Sequence, residues 1–326
     1  MKRFTYMIIF SFILLMLAAC GSEGSDTSSE ETNANSGQNG DAASQETVVV
    51  EHELDTTEVA KHPEKIVVFD FGILDTLDKL GVEVAGIPQS GTIPAYLDKY
   101  GTDDYENVGS LKEPDFEKLA EINPDLIIIS GRQASLYDQL TELAPTIYLA
   151  VDTTNYMESF KNNMNVIGEI FGKEAEIEEE LAAIDEMIAE LNERASANEE
   201  KALIILANDD KISAYGPNSR FGIIHDVFGV EAVDEGIEAS THGMNVTFEY
   251  VMEQNPDILY VIDRGAVVGG EAAGTAKQLV ENELVENTNA YKNDKIFYLS
   301  PEYWYLSGGG LISVAEMVKE IDASID

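Results

Sequence analysis

A twelve-residue stretch of this chain returns once in related form, with six of its positions identical. Asp115-Phe116-Glu117-Lys118-Leu119-Ala120-Glu121-Ile122-Asn123-Pro124-Asp125-Leu126 stands 132 positions before Thr247-Phe248-Glu249-Tyr250-Val251-Met252-Glu253-Gln254-Asn255-Pro256-Asp257-Ile258, and Phe, both Glu, Asn, Pro and Asp coincide. In each copy a helix must end before the Asn-Pro step, because the proline ring crowds the residue before it out of the helical region. A short apolar run follows, which reads as a buried strand. Arg132 and Arg264 keep the same offset, each just beyond the repeated strand. A chain that repeats a helix-turn-strand unit at this distance builds two related α/β lobes.

Other segments fit that frame. Ile66–Phe69, Leu126–Ile129, Ile147–Leu149, Leu203–Leu206, Ile258–Val261 and Ile296–Leu299 are short apolar runs expected as buried strands. Helical patterns such as Asp115–Glu121 and Phe248–Gln254 lie between them. Each lobe therefore reads as a largely parallel sheet with flanking helices. Lys173–Ala197 has neither Gly nor Pro and places Ile177, Leu181, Ile184, Ile188 and Leu191 at helical spacing. It is expected as one long α-helix joining the lobes. The division is an N-terminal lobe over 47–171, the linking helix over 172–198 and a C-terminal lobe over 199–326.

The first 46 residues read differently. Lys2 and Arg3 precede an apolar run, Met7–Ala19, that is short for a membrane span and suits a signal-peptide core. It ends at Leu17-Ala18-Ala19-Cys20, which resembles a bacterial lipobox with cleavage after residue 19 and acylation of the Cys20 thiol. Cys20 is the single cysteine of the 326 residues, so no disulfide stabilises the fold. Residues 20–46 are then the lipidated cysteine and a polar tether without large apolar residues. The expected location is the cell membrane, lipid-anchored, facing the extracellular side. A net charge of −41 argues against a nucleic-acid partner and against attraction to anionic lipid, leaving the anchor as the membrane contact.

In so acidic a chain the arginines are informative. Beyond Arg3 there are four: Arg132, Arg194, Arg220 and Arg264. Arg194 falls on the expected linking helix and reads as solvated. Arg132 follows Ser130-Gly131, Arg264 precedes Gly265, and Arg220 lies in Tyr215-Gly216-Pro217-Asn218-Ser219-Arg220-Phe221-Gly222. Ligands of open α/β sheets bind beyond the carboxyl ends of the strands, where Arg132 and Arg264 fall. Three permanently charged donor forks at such places point to an anion site. The competing reading is that each pairs with a nearby acid.

With these elements the body from Thr47 to Asp326 resembles the iron-siderophore solute-binding proteins of ABC importers. Within them it looks most similar to the catecholate (enterobactin and petrobactin) type. The resemblance rests on the long helix, the two Glu–Pro-Asp repeats and the Ser-Gly-Arg, Asn-Ser-Arg-Phe-Gly and Asp-Arg-Gly elements. It implies two lobes enclosing a shallow cleft, a monomer, no intrinsic cofactor, and a ferric siderophore complex as ligand, held by Arg132, Arg220 and Arg264. It also implies that His242 and Tyr303 complete the Fe(III) shell when the siderophore is tetradentate; imidazole and hard phenolate suit that role. Tyr303 stands with Tyr298, Trp304 and Tyr305, and the other reading of these aromatics is cleft lining. Glu117 and Glu249 are implied as the two acids that dock on a permease dimer, and their internal offset suits such a pair.

Enzyme signatures are missing: there is no Gly-x-Ser-x-Gly, no phosphate loop ending in Gly-Lys-Ser/Thr and no His-Glu-x-x-His. His52, His62 and His225 are scattered and suggest no metal cluster. Gly308-Gly309-Gly310 is expected to allow tight packing or a backbone approach to ligand. The expected function is capture of a ferric catecholate siderophore for an ABC importer. A haem or corrinoid receptor of the same fold is the alternative, and a surface adhesion module or cell-wall enzyme is the alternative of another class.

Overall fold

The computed structural model of the protein describes residues 46–268 and 276–325; the expected leader, Cys20 and the expected tether before Glu46 lie outside them. Two open sheets form its frame. In the first, the strands lie in the order Glu106–Asn107, Gly86–Ile87, Ile66–Val68, Leu126–Ile129, Thr146–Tyr148, and every pairing is parallel. Every residue of Ile66–Val68 and Leu126–Ile129 is buried, as expected of central strands covered by helices on both faces.

The second sheet runs Met244–Val246, Lys211–Tyr215, Lys201–Asn208, Ile258–Asp263, Ile296–Leu299, with Glu231–Ala232 also beside Lys201–Asn208. Its half around Ile258–Asp263 is parallel, as the sequence suggests, while Lys211–Tyr215 and Met244–Val246 run antiparallel to their neighbours. The reversal is made by Asp209-Asp210 between paired Asn208 and Lys211, with Asp209 at φ 53°. Asp tolerates that left-handed conformation, but Asp-Asp is a weaker hairpin signal than Asn-Gly. A further antiparallel pair, Thr47–Glu51 with Thr56–Ala60, opens the body; it buries Val48 and Val50 and leaves Val49 exposed.

The repeated stretch forms the same joint twice. Helices Phe116–Ile122 and Phe248–Gln254 end on Asn123 and Asn255, at φ 52° and 46°, whose N–H groups donate to Leu119 O and Val251 O. The left-handed cap turns the chain out of the helix and satisfies a terminal carbonyl. The aspartates then splice the following strand onto its neighbour. Asp125 N donates to Lys65 O at 2.8 Å while its Oδ2 accepts Lys65 N at 2.8 Å. Asp257 N donates to Lys201 O at 2.9 Å while its Oδ2 accepts Lys201 N at 3.2 Å.

The linking helix spans Glu174–Ala197, about 36 Å at 1.5 Å per residue. Ile177, Leu181, Ile184 and Leu191 are buried as the spacing predicts, together with Ala195, and Ile188 is half-buried. This stripe packs along helices Tyr156–Phe171 and Leu311–Asp322, so the helix is clamped on two sides. Gln45–Asp326 forms one compact unit around it. Among the described residues no helix is long and apolar enough to cross a membrane.

Candidate ligand-binding site

Arg132 and Arg264 both follow central strands at their carboxyl ends. The turn carrying Arg132 is fixed from beneath by Gln133, which is fully buried. Its Oε1 accepts Ser130 N at 3.1 Å, and its Nε2 donates to the carbonyls of Phe69 and Leu111. Arg264 is tied to the neighbouring strand by its N–H on Ala207 O at 3.0 Å. Arg220 comes from the loop after Lys211–Tyr215. There Asn218 takes φ 58° and donates its N–H to Asp226 Oδ2 at 2.6 Å, and the Ser219 hydroxyl donates to Gly216 O. Phe221, 1% exposed, anchors the loop against the Tyr215 ring with centroids 4.6 Å apart.

The three guanidinium groups converge on one residue, Tyr305. Arg132 Nη2 and Arg220 Nη2 donate to its main-chain oxygen at 2.9 and 2.8 Å. Arg264 Nε donates to its hydroxyl at 2.8 Å, and Arg264 Nη1 to Asn208 Oδ1. The Arg220 guanidinium carbon also lies 4.3 Å from the centroid of the Tyr305 ring. Among the described residues no carboxylate pairs with any of the three, whereas Arg194, expected to be solvated, pairs with Asp322 and reaches Ile325 O at 3.3 Å. Among the described residues the acid-pairing reading thus finds a partner for none of the three, and Arg194 departs from its solvated reading by having one.

Each guanidinium carries five N–H donors, so most donors of the three are left for a ligand. Burial, with the charge of Arg132 added, lowers the pKa of Arg220. An incoming anion relieves both effects. Burial alone would push the Tyr305 hydroxyl up. The hydrogen bond from Arg264 and the charges of Arg220, Arg264 and Arg132 outweigh it and bring the phenol below its ordinary range.

Tyr305 was grouped with three other aromatics in the sequence, and the structure separates them. All but Tyr298 belong to the single turn Glu302–Ser307. Trp304 is buried and donates to Glu320 Oε2 at 2.7 Å. Tyr298 reaches Glu281. Tyr303 packs on Tyr96 with centroids 4.9 Å apart. Burial raises its phenol, helped by Glu316, Glu302, Glu320 and Asp75, so acids rather than arginines surround it. His242 is exposed, with its N–H on Ser240 Oγ. Its neighbour Gly243, at φ 72°, lies so close to Tyr215 that a Cβ there would meet the ring at 2.7 Å. His242 thus flanks the Tyr215 and Phe221 wall that carries Arg220. Among the described residues no three His, Cys, Asp or Glu side chains converge for a metal.

The turn bearing Tyr305 is seated by a buried carboxyl. Asp75, on helix Phe71–Lys79, accepts Ile312 N and Ser313 N at 3.1 Å each, at the start of helix Leu311–Asp322. Tyr96 donates to Asp75 Oδ2 at 3.2 Å and shares a 2.6 Å hydrogen bond with Ser307. Gly310 and Gly72 sit close enough to these groups that neither leaves room for a Cβ. The glycine run therefore serves tight packing here. Glu117 and Glu249 occupy equivalent exposed places in the first turns of the two repeated helices. A hydrogen bond from the Thr247 hydroxyl, then one from its own N–H, holds the Glu249 carboxyl below its usual range. Glu249 also borders a cavity of about 500 Å³ lined by Ile212, Val246, Phe248 and Leu284.

The model of the family described as periplasmic binding protein matches residues 66–303. The chain belongs to that family. It is 49% identical over 330 residues to the petrobactin-binding protein YclQ of Bacillus subtilis, covering 100% of both chains. The crystal structure of YclQ superposes with a TM-score of 0.83 at 54% identity, covering 86% of this chain and 99% of that one. The catecholate-siderophore binding protein VctP of Vibrio cholerae gives a TM-score of 0.81 at 34% identity, covering 85% and 100%. BauB, solved with two acinetobactin molecules and ferric iron, gives 0.78 at 27% identity, covering 86% and 99%. The family's two-lobed α/β architecture is the one found here.

Proposed function

We propose that the protein is the solute-binding component of an ABC importer, taking a ferric catecholate siderophore into the cleft between its sheets and passing it on without catalysis. The observation that carries this reading is the convergence of Arg132, Arg220 and Arg264 on Tyr305 with no carboxylate paired to them among the described residues. Iron wrapped by three catecholates carries about three negative charges, and guanidinium forks pair with its oxygens without competing as ligands for hard Fe(III). Positive charge gathered in one cleft of an acidic body also steers an anion there. Two relatives, one named for petrobactin binding and one for catecholate-siderophore binding, support this reading.

The finer parts of the reading follow the chemistry of single residues. With a tetradentate siderophore, His242 and Tyr303 complete the iron shell. Glu117 and Glu249 meet basic residues of the two permease subunits. An acylated Cys20 holds the protein, as a monomer, at the outer face of the membrane, with the domain division at the linking helix. Titration of the purified protein with ferric bis- and tris-catecholates, haem and cobalamin, read by intrinsic fluorescence, tests the ligand class. Quenching by the catecholates is expected. Quenching by haem or cobalamin alone refutes it.

A further inference from the structure

We propose that the cavity between the end of the linking helix and the loop of Arg220 is a second binding site, one that takes a small primary ammonium ion on His225, Asp226 and Glu235. None of the three cleft arginines lines it, and the proposal does not depend on what those arginines bind.

The cavity holds about 340 Å³, room for a molecule of several non-hydrogen atoms when a water takes about 30 Å³. One wall is the end of helix Glu174–Ala197, with Ser196 and Asn198, where the terminal carbonyls form the negative end of the helix dipole. Pro217, His225 and Asp226 form another wall, from the Arg220 loop and the short helical turn after it. Glu231 and Glu235 close the ring. Three of the lining residues are acids and none is Lys or Arg. Lys201, outside the lining, pairs with Glu231 and so accounts for one of the three acids.

His225 shows what the cavity lacks. Its Nδ1 lies 2.8 Å from Val230 O, and a carbonyl only accepts, so Nδ1 carries the proton. Burial lowers the imidazole pKa against the backbone hydrogen bond and the nearby Asp226 carboxylate, so the ring is neutral and Nε2 is a bare acceptor. Among the described residues no buried side-chain nitrogen or oxygen is without a partner, so Nε2, which has none, is not sealed in packing and opens on the cavity that His225 lines. Asp226 adds a second acceptor, since its Oδ2 takes Asn218 N at 2.6 Å and Oδ1 remains. Glu235 adds an exposed carboxylate. A neutral imidazole beside two carboxylates is a set of acceptors, and the three N–H donors of an ammonium group match it. A divalent metal matches it less well, because among the described residues no three His, Cys, Asp or Glu side chains converge. Asp226 also braces the Asn218 N–H two residues before Arg220, so an occupant touches both the helix that joins the lobes and the loop that carries Arg220.

The test titrates the protein at about pH 7.5 with n-propylammonium chloride and, in parallel, with tetramethylammonium chloride, which has the same charge and no N–H donor, at equal ionic strength. Binding heat is read by isothermal titration, and the imidazole signals of the four histidines by NMR, with His225→Gln to assign them. The expected result is saturable propylammonium binding with a dissociation constant on the order of 1 mM, as suits so small a ligand. The His225 signals should shift selectively, and tetramethylammonium should give no saturable response. Glu235→Gln, a change at an exposed side chain, should weaken propylammonium binding about three- to tenfold, with the fold checked by circular dichroism. An equal response to the two cations, which is what general attraction to an acidic body would give, overturns the proposal. So do His225 signals that stay in place at saturation, or binding undiminished in Glu235→Gln.

Discussion

Arg132 and Arg220 donate to the same main-chain oxygen, that of Tyr305, at 2.9 and 2.8 Å, although one follows a strand of the first sheet and the other a strand of the second. The two lobes thus present their charges to one point. A single carbonyl is a poor partner for two guanidinium groups, and an anionic chelate with several oxygens is a better one.

The arginines should differ in what they do. Arg220→Ala is expected to weaken ferric catecholate binding by roughly 10- to 100-fold, the scale of one charge-assisted hydrogen-bonded contact. Arg194→Ala should leave affinity unchanged and lower stability by under about 1 kcal/mol, since its Asp322 pair is half exposed. Isothermal titration and denaturant unfolding of both variants check this pair of outcomes.

His242 and Tyr303 are expected to matter only when iron arrives with open coordination positions. With a ferric bis-catecholate, His242→Ala and Tyr303→Phe should each lower affinity about tenfold and change the visible charge-transfer band. With a hexadentate tris-catecholate both should bind as the wild type does. Equal losses with the two ligands would assign these residues to the cleft wall instead.

Glu117 and Glu249 lie on the outside of the two repeated helices. Replacing both by Ala should leave siderophore affinity within about twofold, because neither touches the cleft. It should markedly reduce ligand-stimulated ATP hydrolysis by the reconstituted permease, more at low salt than at high, as expected for exposed charges. Undiminished stimulation would remove them from the docking surface.

Asp75 gives a pH signature opposite to that of an ordinary paired carboxylate. Burial pushes its carboxyl up to about 7, against the hydrogen bonds from Ser313, Ile312 and Tyr96. The folded state therefore binds this proton more tightly than the unfolded chain. The stability it contributes is full below the usual carboxylate range, declines as pH rises toward about 7, and is level above that. The stability difference between wild type and Asp75→Asn, from denaturant unfolding between about pH 4 and about pH 8, should shift against the wild type as pH rises. A difference that grows in favour of the wild type would contradict this account.

Much of this was legible in the chain. The Asn-Pro-Asp steps announced two equivalent joints because each residue has one local job: a left-handed cap, a helix stop, and a carboxyl that clasps the next strand. The linking helix was legible from uninterrupted apolar spacing, and Arg132 and Arg264 from their place after buried strands. The antiparallel half of the second sheet was not, since it depends on the Asp209-Asp210 reversal. Nor was the part played by Tyr305. Four aromatic residues lie within eight positions, and only the course of the turn Glu302–Ser307, seated by Asp75 and Gly310, decides which of them faces the arginines. Gln133 escaped notice for a similar reason: a buried amide that fixes an arginine turn looks like any other glutamine in the sequence.

The central claim is that Arg132, Arg220 and Arg264 bind the ferric catecholate. Fluorescence titration of the Arg132→Ala/Arg220→Ala/Arg264→Ala protein with a ferric tris-catecholate, beside the wild type at the same salt, tests it most directly. The account predicts tight binding by the wild type and a loss of at least about 100-fold in the triple variant, with the fold retained by circular dichroism. Tight binding that survives the loss of all three arginines would contradict it.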